Sequence, residues 1–296
     1  MSKMPRKTRM IAYDICNLED VRAHYYNTFL ELAVNRFRWK GLPENIDPRY
    51  LEFYLTRNGA IDFVWDDVLQ EFNAFMCTWT GFDDYYNPTD FHIVLPTGRN
   101  IDANTYDSVI IWNNFMRISD IPTINMFADA ITNIFVSAMV NVNAQKTPVA
   151  MLADSEKEKL TIENAYMQWQ GNRPVIWVKD KNVLDAFQVI KTDAPFVAPE
   201  LMDMKDRIME EFLKWLGVKV PLTNGRERLI VNEQADANAV TFQLRNRGLH
   251  SRQIACEQIN KKFGLNLSVE FNEDLGSLVD GMLPESKPAP TEGGEE

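Results

Sequence analysis

The stretch Ile121–Val149, IPTINMFADAITNIFVSAMVNVNAQKTPV, constrains this chain more than any other. It follows Asp120, a favourable N-cap. Ile124, Phe127, Ile131, Ile134, Phe135, Ala138 and Val142 then recur at the threes and fours of one broad apolar helical face. Asn125, Asp129, Asn133, Ser137 and Asn141 recur every fourth residue as a second, narrow polar stripe. Such a helix reaches ~33 Å at ~1.5 Å per residue. Pro148 ends it, because proline disfavours α geometry in the residue before it. Three structures use a helix of this kind: a globular core, a membrane span, or a ring of copies whose polar stripe faces a water-filled channel. Asp129 near the centre counts against a span, at a cost of ~2.5–3.5 kcal/mol, and so do flanks without a lysine or arginine bias.

The rest of the chain narrows the choice. Its 296 residues are enough for two or three small domains, and 45% apolar with 25% charged residues is the globular norm. A net charge of −11 argues against a protein whose main task is gripping nucleic acid by its phosphates. Cys16, Cys77 and Cys256 lie far apart, without metal spacing or a disulfide framework, which predicts free thiols in a reducing compartment. MSKMPRKTRM is basic with no apolar run after it, so a secretory leader is not expected. Its Lys3, Arg6, Lys7 and Arg9, with no acid among them, fit either a solvated tail or an electrostatic hook for a polyanion.

In order, Leu18–Trp39 reads as a helix stopped by Gly41 and Pro43, and Tyr50–Thr56 as a second one after Asp47-Pro48. Residues 60–114 change texture. The runs 75–80, 91–95 and 108–112 alternate with turn clusters, as in a small antiparallel β unit, with a short helix fitting Val68–Phe75. Beyond the long helix, strands at 148–152, 174–178 and 186–190 and a helix at Leu160–Trp169 make a β-α-β-β module. It precedes a strong amphipathic helix, Pro199–Leu216, closed by Gly217. Residues 223–248 are read as a mobile loop, because NEQADANA at 232–239 is too polar and small-sided to pack well. A helix at Ser251–Phe263, a strand at Leu265–Phe271 and a short helix near Leu275–Met282 follow, then a Pro- and Glu-rich tail. The fold class is α+β, mainly α.

No catalytic pattern stands up. His24, His92 and His250 are isolated, the adjacent acids Asp66-Asp67 and Asp83-Asp84 read as solvated or capping turn residues, and no phosphate loop, GxSxG, HExxH or GxGxxG occurs. Neither an enzyme nor a cofactor or metal site is expected.

Four segments are specific. FRWKGLPENIDP (37–48), NAQKTPV (143–149), KTDAPFV (191–197) and ACEQIN with FGLN (255–260, 263–266) occur in the order and near the spacing of one family. Across about residues 15–275 the chain resembles the upper collar protein, the head–tail connector or portal, of small short-tailed phages with protein-primed double-stranded DNA genomes. The resemblance implies a portal fold in a dodecameric ring at one capsid vertex of the virion, assembled in the host cytoplasm, with a DNA channel for genome packaging and ejection. It divides the chain into a basic disordered tail (1–14), a first stem helix with the helix after it (15–56), a β-rich wing (57–118) and a second stem helix (119–146). An α/β clip (147–192), a third stem helix (193–217), a channel-loop region (218–250), a C-terminal helix–strand–helix (251–283) and a disordered acidic tail (284–296) complete it.

Implied partners are further copies of the chain, double-stranded DNA in the channel, major capsid and scaffolding proteins, the lower collar or tail protein, and a separate packaging ATPase with or without a packaging RNA. No membrane is implied. On this reading Lys191, Arg226, Arg228, Asn133 and Ser137 face the DNA. Lys3, Arg6, Lys7, Arg9, Lys179 and Lys181 dock the motor or a nucleic acid, and Ile131, Ile134, Phe135, Ile208 and Phe212 pack subunits together. The chain departs from the family where a second channel lysine would stand, at Glu200, and where a loop lysine pair would stand, at Gly225-Arg226. The competing readings are an accessory subunit of the packaging motor without catalysis of its own, or a DNA-binding protein without sequence preference.

Overall fold

The computed structural model describes residues 18–144, 149–151, 187–189, 195–218 and 231–275, with only the backbone at 143–144, 149–151, 187–189 and 231–241. Five helices and ten strands run in the order α1 Leu18–Val34, β1 Phe37–Lys40, α2 Pro48–Asn58, β2 Ala60–Asp66, β3 Glu71–Phe75, β4 Thr78–Phe82, β5 Pro88–Val94, β6 Asn100–Asn104, β7 Ser108–Trp112, α3 Ile121–Ala144, β8 Val149–Met151, β9 Phe187–Val189, α4 Ala198–Leu216, α5 Val231–Phe263 and β10 Ser268–Phe271 among the described residues. They fall into two compact units, Met1–Thr132 with Lys205–Glu296, and Asn133–Met204.

Local chemistry sets many of these boundaries. In α2, Asp47 caps the N-terminus by accepting from the Arg49 N–H at 2.8 Å, and Pro48 occupies the first turn, where its missing donor costs nothing. Gly59, at φ 87°, ends the helix by donating its N–H to Leu55 O. The α1 helix ends at Val34, five residues short of the expected Trp39. Phe37–Lys40 instead forms β1, paired antiparallel with β10 from Phe37↔Phe271 to Lys40↔Ser268. Phe37 and Trp39 share a face only at a strand's period of two, since residues two apart on a helix point about 200° from each other, and pairing with the distant β10 fixes the strand.

The first unit holds two three-stranded antiparallel sheets, β3-β2-β7 and β4-β5-β6. The expected helix at Val68–Phe75 is instead a turn followed by β3. Asp66 Oδ1 accepts the N–H groups of Val68 and Leu69, which diverts the chain into the turn. The main core gathers α1, α2, β2, β7, the first half of α3, the end of α4, α5 and β10. The Phe212 ring lies 4.1 Å from Phe29 and 5.3 Å from Phe127, with Ile124, Ala128, Ile131, Leu213 and Leu216 fully buried around them. Each such large side chain contributes about 1.5–3 kcal/mol through burial. Val64, Phe91, Ile93 and Ala103 form a smaller core among strands of residues 60–104.

One expectation fails outright. From Val231 onward the residues read as a mobile loop are helical, continuous with the C-terminal helix through Phe263. Alanine, glutamine and glutamate are good helix formers, so a polar, small-sided stretch extends a helix without needing an apolar stripe of its own.

In the second unit β8 and β9 pair antiparallel, Val149↔Val189 to Met151↔Phe187. The Asn141 side chain holds the entry to α4. Its Nδ2 donates to Pro195 O at 2.9 Å, and its Oδ1 accepts from the Val197 N–H at 3.0 Å. The expected helix at 160–169, the strand at 174–178 and the helix near 275–282 lie outside the described residues, except for Leu275.

Candidate functional surfaces

The polar stripe of α3 is divided by its own chain. At its start Arg22 of α1 donates from Nη2 to Asn125 Oδ1 at 2.9 Å and from Nε to Asp129 Oδ1 at 2.5 Å. At its end Asn141 is engaged by residues 195–197, as above. Asn133 and Ser137, between them, are both exposed. Over Ile121–Val142 the helix is long and apolar enough to cross a membrane. However, Ile124, Phe127, Ala128 and Ile131 are buried in the first unit's core, and the pairing with Arg22 brings a charged neighbour to Asp129.

The residues expected to pack subunits together separate into two groups. Ile131 and Phe212 are fully buried in the chain's own core, so neither is available to a neighbour. Their periodicity marked burial correctly but could not say against what. Ile134, Phe135 and Ile208 are half-buried, and Met126, Val140 and Val142 on α3 are exposed. Glu200 is exposed in the first turn of α4, where a carboxylate suits the positive end of the helix dipole. Lys3, Arg6, Lys7, Arg9, Lys179, Lys181, Lys191, Arg226 and Arg228 lie outside the described residues.

Two buried polar clusters went unseen in the sequence because their members lie up to 200 positions apart. Arg252, fully buried, grips Glu52 through Nε and Nη2 at 2.8 Å each, and donates to Asn113 O, Asn113 Oδ1 and Gly248 O. Trp39 Nε1 adds a bond to Glu52 Oε1 at 2.7 Å, and Phe37 lies under the guanidinium at 4.3 Å. With every donor used, this charge pair ties α2, the end of β7 and α5 together. Removing one partner from such a pair costs about 3–5 kcal/mol. Beside it Arg36 donates from Nη2 to Asp120 Oδ2 at 2.9 Å, while its Nε has no partner. Burial lowers the Arg36 pKa, and Asp120 opposes the shift.

Strands β4, β5 and β6 bring together one chain with the order of a catalytic triad. Thr80 Oγ1 lies 2.7 Å from His92 Nε2, and His92 Nδ1 lies 2.7 Å from Asp102 Oδ1, on adjacent strands β4, β5 and β6. The arrangement stands on the open face of the sheet, with the Asp102 carboxylate 79% exposed. Acyl transfer needs donors aimed at the developing oxyanion in a water-excluded site, and water surrounds this one. The trio reads as a cross-strand hydrogen-bond ladder. Among the described residues no group of His, Cys, Asp or Glu could hold a metal ion. Burial pushes the Cys77 and Cys256 thiols up to about 12, which makes both unreactive.

The family model described as Phage Connector (GP10) matches residues 14–276. Among solved structures, the portal and tail of native bacteriophage P68 matches with a TM-score of 0.50 at 14% identity, covering 95% of this chain and 96% of that one. An HK97 family phage portal protein from Corynebacterium diphtheriae gives 0.42 at 12% identity, with 89% and 94% covered. The virion of a native gene transfer agent particle gives 0.44 at 11% identity, with 94% and 87% covered.

Proposed function

The chain belongs to the phage connector family, and on that premise we propose that copies of it close a ring at one capsid vertex, around a channel through which double-stranded DNA is packaged and ejected. As a family member it is a structural head–tail connector, or portal, subunit of the virion, associated with capsid and tail. The observation that carries the proposal is the family match, which runs from Asp14 to Gly276 and so takes in every element from α1 to β10. The portal fold shared with the P68 structure supports it.

The finer assignments rest on the same premise. A dodecamer is the expected count. Asn133 and Ser137, the exposed middle of the α3 stripe, face the bore, with Lys191, Arg226 and Arg228 as its basic groups. The half-buried Ile134 and Phe135 contribute to contacts between copies. Lys3, Arg6, Lys7 and Arg9, with Lys179 and Lys181, dock the packaging ATPase or its nucleic acid, and the 147–192 segment meets the lower collar. Negative-stain micrographs of the purified protein test the core of this reading, with rings bearing a central hole as the expected result. Uniformly monomeric particles at micromolar concentration would refute it.

A further inference from the structure

The β2–β3 turn presents two large aliphatic residues to water, Val68 at 72% and Leu69 at 52% exposure, between the exposed Asp67 and Gln70. The tip is rigid. Buried Asp66 accepts the Val68 and Leu69 N–H groups on Oδ1 at 3.0 and 3.2 Å, and its carbonyl accepts the Gln70 N–H at 2.7 Å. Arg99 clamps both carboxylate oxygens of Asp66 at 2.6 Å. These bonds hold that carboxyl below the usual range, with Arg99 first among the causes. A rigid apolar tip loses little conformational freedom on docking.

The opposite end of the same sheet is concave. Ala60, at the start of β2, pairs with Trp112, whereas Asp66, at its end, pairs with Glu71 next to the turn. The strand therefore separates the two ends by roughly 20 Å at ~3.3 Å per residue. Around Trp112 lies a groove of about 510 Å³ lined by Tyr85, Ile110, Phe115, Arg117 and Ile254. Tyr85 and Phe115 on its walls are 86% and 85% exposed. The Arg117 guanidinium lies 4.7 Å over the Trp112 ring and donates to Asn87 Oδ1 at 2.7 Å. Asp83 also lies within its field, its own carboxylate already bonded by the N–H groups of Tyr85 and Asn87. Exposed aromatic residues around an arginine are the composition of interface hot spots.

One sheet thus carries an apolar projection with Asp67 at one end and an aromatic hollow with Arg117 at the other. A two-fold contact matches a surface to itself, whereas a head-to-tail contact joins two different, complementary ones. We propose that the Val68–Leu69 tip of one subunit seats in the Trp112 groove of the next copy, with Asp67 facing Arg117. This rests on the ring reading above and names a contact that would propagate the ring.

The test is a cysteine pair, Leu69→Cys with Ile254→Cys, in a Cys16→Ser background that leaves only the buried native thiols. Oxidation should give a ladder of covalent oligomers on a non-reducing gel from the double variant, and none from either single variant. Leu69→Asp, at an exposed position that no core contact uses, should keep the thermal midpoint and lower ring yield at limiting concentration about tenfold or more. Wild-type rings in micrographs, without cross-linking by the double variant, overturn this contact and leave the ring reading standing. Wild-type protein without rings overturns both. Normal rings from Leu69→Asp with only tail attachment lost would make the occupant another protein and overturn the proposal.

Discussion

Asp62 is the least comfortable residue of the β3-β2-β7 sheet. It is fully buried on β2, and neither carboxylate oxygen has a hydrogen-bond partner. Ser108 and Lys262 are its nearest polar support, but the Ser108 hydroxyl donates to Asn104 O, and the Lys262 ammonium donates to the carbonyls of Thr105 and Ser108. Burial pushes the Asp62 pKa up to about 7, against the opposing pull of Ser108 and Lys262. Because the folded value lies above the ordinary 3.8, the folded protein holds this proton more tightly than the unfolded chain does. Stability therefore falls as pH rises from the ordinary carboxylate range to about 7, then levels off, with a full span of ~4 kcal/mol. Asp62→Asn should raise the thermal midpoint at pH 8 by several degrees more than at pH 5. An equal change at both pH values would show that the carboxylate ionises without penalty. Nothing in the sequence marks Asp62, since an alternating strand allows a polar residue at any second position. It sits on the central strand between β3 and β7, paired with Phe75 and Ile110, and these neighbours are chosen by the tertiary fold. The Arg252–Glu52 pair is hidden for the same reason: neither residue's neighbours say that its charge is buried.

At the scale of elements, legibility follows how local the determining forces are. β7 is read to the residue at 108–112, and α2, α3 and α4 are placed within two or three residues at each end, because caps, proline and a single periodicity decide them. β1 is misread because its partner β10 stands some 230 positions away. The N-terminal extension of α5 is misread because polarity was equated with a loop, although helix propensity there is adequate. The glycine stop signal fails at Gly41, which follows a strand, but holds at Gly217 for a visible reason. At φ 84° it turns the chain out of α4, and a Cβ there would meet Arg245 Cα at 2.7 Å and Arg245 N at 2.9 Å. Gly98 has a similar φ of 81° with nothing within 4 Å of such a Cβ. Both substitutions to alanine incur the left-handed strain of about 1 kcal/mol, but only Gly217→Ala also drives a methyl group into backbone. Gly217→Ala should therefore destabilise by about 1–3 kcal/mol more than Gly98→Ala in denaturant unfolding. Equal effects would mean that α4 and α5 separate easily at this point.

For the whole molecule, the deciding quantity is charge multiplied by symmetry. Each subunit carries −11, so a closed ring is strongly acidic and repels a duplex from most of its surface. If the proposed channel passes DNA in both directions, general repulsion with a few basic contacts would keep the duplex from sticking. Single exposed charges are worth about 0–1 kcal/mol each, but a ring repeats every one of them around the bore. The sites proposed for those contacts are Lys191, Arg226 and Arg228. Shortening residues 230–240 is a poor probe of them, because α5 begins at Val231 and a deletion there rotates the helix against its own continuation. Replacing the three basic residues by alanine leaves every described element unaltered in sequence. Rings should form, and DNA should enter at a near-normal rate, since on the proposed reading the translocating force comes from a separate ATPase. Filled heads without tails should then lose DNA to nuclease challenge. The salt dependence of retention should flatten as well, because each lost phosphate contact removes a slope of about 0.9 in log affinity against log salt. Full retention with an unchanged salt slope would place the holding contacts elsewhere, with the exposed amide of Asn133 and hydroxyl of Ser137 as the remaining groups proposed for the bore.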